Sequence, residues 1–189
     1  MDIDRKKIAE GVRLILQGIG EDTDREGLQR TPERMVEYYE EVLAGYNEDP
    51  AAELRRYTTS NRDELIILKD ISFYSLCEHH LLPFFGKAHI AYIPQDDKVA
   101  GFSNMVRVVE ILSKRLQVQE RMTTEIADAI VKAIDCKGVL VVVEAEHLCL
   151  TMRGIKKPGS KIVTSAIRGI MRKTATRYEA LTLLGRVGG

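Results

Sequence analysis

A chain of 189 residues, 44% hydrophobic and 30% charged, has the make-up of one globular domain with a real core, or of one domain with a short appendage. Its 28 basic and 28 acidic residues cancel, so no broad electrostatic footprint for nucleic acid is present. No apolar run approaches membrane-spanning length and the opening MDIDRKKIAEGV has no secretory core, so no membrane association and a cytoplasmic location are expected. In that compartment the three cysteines read as core residues, metal ligands or reactive thiols, not as a disulfide framework.

In chain order, DRKKIAEGVRLILQGIG carries Ile8, Val12, Ile15 and Leu16 at helical spacing, with glycines to close it. TPERMVEYYEEVLAG predicts a second helix, with Thr31 as N-cap, Pro32 at the first helical position and Gly45 placed to end it. The polar stretch YNEDPAAELRRYTTSNRDE holds at most one helical turn. ELIILKDISFYSL and KAHIAYIP are rich in β-branched and aromatic residues and predict a strand pair. QDDKVAGFSN connects to two helical segments, SNMVRVVEILSKRLQ and VQERMTTEIADAIVKAID, broken near Gln117 to Gln119. KGVLVVVEAEHLCLTMRG predicts a strand that continues past a bend, IKKPGSKIVTSAIRG a turn and another strand, and TATRYEALTLLG a closing helix. Two hairpins separated by a helical pair predict an α+β fold with an antiparallel sheet. Helices on one face leave the other face and two sheet edges to cover, which assembly with further copies would do.

All four histidines fall in the hairpin regions: His79, His80 and His89 in the first, His147 in the second. Cys77 and Cys149 join them, while Cys136 sits at a helix-to-strand turn and reads as a small half-buried residue. His147 and Cys149, two apart on a predicted strand, would share a face. Cys77 and His80 converge only if the chain turns at CEHHLLP. Cys, His and Cys form a soft set suited to Zn²⁺, and three ligands with spare imidazoles nearby favour an open, catalytic site over a closed one. A structural metal, a Cys77 nucleophile activated by His79 or His80, and plain packing remain open on these residues alone. Ser103 and Arg107, one turn apart near a helix start, and Arg153, followed by Lys156, Lys157 and Lys161, suit a small anionic substrate, although each basic residue alone is an ordinary surface charge. Glu120 in VQER could accept from the ring N–H and amino group of a guanine, although alone it reads as an ordinary helix-surface carboxylate.

SLCEHHLLPFFGKAHIAYIP, VQER, EAEHLCLTMRG and TSAIRG, in that order, closely resemble the zinc-dependent GTP cyclohydrolase I family, with TPERM as a weaker match. The resemblance implies the tunnelling (T-) fold, with residues 61–189 as its catalytic domain behind an N-terminal helical extension, 1–60. It implies a barrel completed by oligomerisation, a homodecamer of two stacked pentamers with active sites at subunit interfaces. It implies Zn²⁺ held by Cys77, His80 and Cys149, with His147 as proton donor and acceptor near guanine N7 and His79 as a second catalytic imidazole. Gln119 and Glu120 would read the guanine edge. Ser103, Arg107 and Arg153 would bind ribose and triphosphate, and Arg34 would reach in from a neighbouring subunit. The implied reaction opens the guanine imidazole ring of GTP, releases C8 as formate, rearranges the ribose and closes to 7,8-dihydroneopterin triphosphate.

The chain departs from the family pattern in three places. Asn104 stands where a phosphate-contacting lysine is usual, Glu37 replaces a second basic residue one turn beyond Arg34, and Leu116 replaces a proline. The rival expectations are a sister activity stopping at another ring-opened or pterin product, and a non-catalytic module binding zinc or a purine. Retention of both His79 and His147 speaks against the module, since a structural metal site needs neither.

Overall fold

The computed structural model describes residues 2–58, 64–96 and 98–185. Two helices open the chain, α1 (Arg5–Gly18) and α2 (Thr31–Val42), packed against each other. The Asp4 carboxylate accepts from the Lys7 amide and caps α1. Pro32 lies in the first turn of α2, as expected, but the helix begins one residue earlier than predicted. Arg30 is its N-cap, and Thr31 is already helical with no side-chain cap. Gly45 does not end α2, which stops at Val42; it lies in a short 3₁₀ turn, Ala44–Asn47. There a Cβ would come 1.9 Å from the Ile111 carbonyl oxygen, so only glycine allows this approach.

The core sheet is built on strands β2 (Ile66–Cys77), β3 (Pro83–Ile93), β6 (Gly138–His147) and β7 (Ile162–Gly169), with the order β5-β2-β3-β6-β7. β5 is the two-residue strand Leu116–Gln117, which runs parallel to Leu76 and Cys77. It occupies the break expected between the two central helices, α3 (Phe102–Ser113) and α4 (Gln119–Ile134). The α+β expectation of two antiparallel hairpins flanking a helical pair therefore holds. The polar stretch before β2 adds a feature that was not expected, a ribbon of β1 (Arg56–Thr58) and β4 (Lys98–Ala100). The boundary expected between residues 60 and 61 lies outside the described residues.

Alternation along the strands sets the two faces. Ile71, Phe73, Phe84, Ala88, Ile90, Tyr92, Val139, Val141, Val143 and Ala145 face α3 and α4, whose Met105, Val108, Leu112, Met122, Ile126 and Ile130 complete the larger cluster. Each fully buried aliphatic or aromatic side chain there contributes about 1.5–3 kcal/mol. The opposite face is half covered. At the Gly138 end of β6, the closing helix α6 (Thr174–Leu183) packs Ala180, with Met171 and Leu184, on Ala91, Ile93, Leu140 and Val142. At the other end Tyr74, 74% exposed, stacks on Phe85 in the open.

Two details fix the register. The β2–β3 pairing shifts between Leu68 and Ile71, where Asp70 adopts a positive φ of 59° and its amide donates to Nδ1 of buried His89. This gives His89 a structural place at a β-bulge. Gly86 faces Ala145, and a Cβ on it would lie 1.9 Å from the Glu144 carbonyl oxygen. The two central strands thus approach as closely as they do because this residue has no side chain.

Candidate active site

Four segments meet at one end of the sheet. The β2–β3 connection is a tight turn in which the Cys77 amide donates to the Leu82 carbonyl, the Leu81 amide returns to the Cys77 carbonyl at 2.8 Å, and Leu81 takes a positive φ of 54°. This helix-like turn brings residues three apart to one side. It is the turn that Cys77 and His80 required. From the other hairpin, β6 ends at His147. The expectation that Cys149 continues the strand and shares its face is corrected: the chain coils into a short helix, α5 (Leu148–Thr151), so Cys149 is presented from a helical turn.

The ligand atoms of Cys77, His80 and Cys149 lie within 4.8 Å of one another. Donors around a tetrahedral zinc stand roughly 3.3–3.8 Å apart, so this set fits such a cation with little closure. Burial first, and then the adjacent Cys77, push the Cys149 thiol up, with Arg153 opposing. The Arg153 guanidinium donates to His80 Nε2 at 2.8 Å, so this residue from the second cluster lies against the ligand set. His79 is exposed, its Nδ1 3.8 Å from Cys77 Sγ.

His147 is held differently. Its ring stacks on Phe84, its cross-strand partner, with centroids 4.5 Å apart and planes 5° from parallel. Its Nε2 is 2.7 Å from Gln119 Oε1. Burial pulls the imidazole below its usual range, and the charge of Glu120 opposes the shift. Gln119 is 1% exposed, and its Nε2 donates at 3.1 Å to the carbonyls of Val143 and Ile162 and to the Thr164 hydroxyl. The carboxamide is therefore engaged with β6 and β7. Glu120, next along α4, is exposed.

The other anion-binding candidates, Ser103, Arg107 and Arg34, lie on α3 and α2. Ser103 is exposed in the first turn of α3. Arg107 is engaged by two carboxylates, Glu48 at 2.5 Å and Glu110 at 3.2 Å. Arg34 is exposed on α2. Asn104 turns its amide to the Glu53 carbonyl at 2.8 Å and ties α3 to the segment before β1.

One residue of the motif takes a role that sequence reasoning did not give it. Glu78 pairs with Arg121 at 2.5 Å; Arg121 also donates to the Leu116 carbonyl and to Gln117 Oε1. The Arg121 guanidinium beside Glu78 holds its carboxyl below the usual range. Together with the Glu78 amide bonded to the Gln117 carbonyl, this clamps the Cys77–His80 turn to the start of α4. Acid and base stand in the two quoted motifs, CEHH and VQER, but their pairing is visible only once β5 lies beside β2.

The GTP cyclohydrolase I family model matches residues 8–185. The chain belongs to the GTP cyclohydrolase I family. Among its relatives is GTP cyclohydrolase 1 of Carboxydothermus hydrogenoformans, 58% identical over 97% of this chain and 96% of that protein. The Pelotomaculum thermopropionicum enzyme is 56% identical over 96% of this chain and 97% of its own length. The Bacillus subtilis one is 51% identical over 98% of both. Within a GTP cyclohydrolase I, a Cys–His–Cys cluster beside a stacked, half-buried imidazole is suited to hydrolysis of a ring C–N bond.

Proposed function

We propose that this protein acts on GTP as its family does, opening the guanine imidazole ring with release of formate and closing the product to 7,8-dihydroneopterin triphosphate, with Zn²⁺ held by Cys77, His80 and Cys149. The observation that carries the reading is the convergence of those three side chains from two hairpins at the end of the sheet where His147 is locked in place. Cys77, His80 and Cys149 would hold the cation, which would supply a water with its pKa lowered toward about 7 as a nucleophile at neutral pH.

The remaining chemistry belongs to the chain. His147 takes up a proton and passes it to guanine N7, which makes C8 electrophilic; burial lowers its affinity for protons, so a proton it takes up is readily given on. His79, exposed beside Cys77, serves as the second imidazole, which orients substrate and shuttles protons. Glu120, in the first turn of α4, accepts from the guanine N–H groups, and Gln119 supports that edge by fixing His147. Ser103, Arg107 and Arg153 hold ribose and triphosphate. For this Arg107 trades its carboxylate partners, and Arg153 its imidazole partner, for phosphate oxygens. Arg34, exposed on α2, reaches a neighbouring subunit's site in a decamer of two pentameric rings, which the open outer edges of β2 and β7 and the half-covered sheet face support.

The deciding experiment incubates zinc-loaded protein with GTP and follows formate and pterin fluorescence. Both signals appear if the reading is right. Formate without pterin fluorescence marks a reaction that stops after ring opening, and neither signal leaves a binding module.

A further inference from the structure

The bonds around Gln119 run in only one direction. Thr123 Oγ1 lies 2.7 Å from the Gln119 main-chain carbonyl and 2.7 Å from Thr164 Oγ1. A carbonyl accepts only, so the single proton of Thr123 goes to it. The Thr164 hydroxyl must then donate to Thr123, which leaves Thr164 Oγ1 as an acceptor for Gln119 Nε2 at 3.1 Å. The carbonyls of Val143 and Ile162 face the same nitrogen. A flipped carboxamide would set its oxygen against two carbonyl oxygens and a hydroxyl with no proton to spare, at a residue 1% exposed to water. Gln119 Oε1 therefore faces His147, and an amide oxygen can only accept.

We propose that Thr164 and Thr123 are positioning residues, which lock the Gln119 carboxamide so that His147 is kept as its Nε2–H tautomer and exchanges protons through Nδ1 alone. The parallel stack on Phe84 holds the plane of the ring, and the bond to Gln119 Oε1, which a ring carbon cannot make, fixes which edge faces the carboxamide. The direction of proton transfer at the site is thus set by two hydroxyls on α4 and β7, neither of which need touch substrate. The inference rests on the reading of His147 as the proton-transfer group.

The test uses zinc-loaded protein labelled with ¹⁵N-histidine, with the His147 signals assigned by their loss in His147→Phe. The wild-type protein should show a protonated Nε2 and an unprotonated Nδ1 at His147. Thr164→Val, which keeps the shape and removes the hydroxyl, should give a mixture of tautomers and lower kcat about tenfold with KM for GTP little changed. Thr164→Ser should restore both. Thr123→Val breaks the same chain from the helix side and should give the same mixture, which keeps the test open if Thr164→Val fails to fold. An Nδ1–H tautomer in the wild type, or an unaltered tautomer in both valine variants, overturns the proposal. Mixed tautomers with unchanged turnover would uphold the lock and instead overturn the role given to His147.

Discussion

Asn104 shows how one side chain can serve the fold where charge would serve the substrate. Its amide spans from α3 to the Glu53 carbonyl, a neutral bond worth about 0.5–1.5 kcal/mol, whereas a charge-assisted bond to phosphate is worth about 1.5–3 kcal/mol. Asn104→Lys should therefore lower KM for GTP about tenfold or more while costing a little stability; steady-state kinetics showing no improvement would remove the idea. Cys136 gives a pH prediction. Burial pushes its thiol from an ordinary 9.0 up to about 11. As pH rises the unfolded chain loses this proton first, so the contribution to stability is complete below pH 9 and is lost between 9 and 11. Cys136→Ala should flatten the alkaline part of a denaturation-versus-pH curve. The native thiol should also react slowly with iodoacetamide at pH 8, since the thiolate is the nucleophile. The half-buried place of Cys136 was legible in its sequence position. That of Glu78 was not, because its partner Arg121 is 43 residues away and a carboxylate beside a histidine has many possible uses.

At the scale of elements, the hairpins and the central helices were readable from apolar period and from β-branched runs, because those patterns report burial directly. What could not be read was local geometry set by tertiary contact. Cys149 follows a strand of regular alternation, yet the chain coils into α5 after His147, and i, i+2 parity ceases to apply. Gly45 looked like a helix terminator and is in fact a point of contact with Ile111. The β1–β4 ribbon pairs residues some forty apart within polar sequence, where no period announces it. Two substitutions test the elements that position the site. Gly86→Ala drives a Cβ into the Glu144 carbonyl and should cost about 2–3 kcal/mol in urea unfolding, with activity falling as β3 and β6 separate. Glu78→Gln releases the clamp on the Cys77–His80 turn, and such supports of ligand residues typically matter about 10–100-fold in metal affinity. Competition with a chelator of known affinity measures this, and an unchanged zinc Kd would show that the turn holds itself.

At the scale of the whole molecule, the end of the sheet that bears the Cys–His–Cys set is also where the second sheet face lies open, with Tyr74 on Phe85 and Val163 56% exposed. An assembly that covers this region ties catalysis to oligomerisation. If Arg34 completes a neighbour's site, Arg34→Ala and His147→Phe subunits, each inactive alone, should regain about a quarter of wild-type activity when mixed and reassembled, since a fraction of interfaces would then pair intact halves. No recovery in mixed oligomers verified by mass would place Arg34 outside the site.

The cross-strand pairing of Phe84 with His147 has an evolutionary consequence. Loss or gain of one residue within β6 would turn His147 to the far side of the sheet and bring Glu146 or Leu148 into its place, so the change would abolish chemistry even where the hydrophobic core recovered. An indel of two would restore the side but shift Cys149 by about 6.6 Å along the strand, beyond reach of Cys77 and His80. Descendants of this sequence are thus free to vary in length in the exposed stretch 154–159, beyond Arg153, whereas β3 and β6 are fixed in residue count as firmly as in residue type.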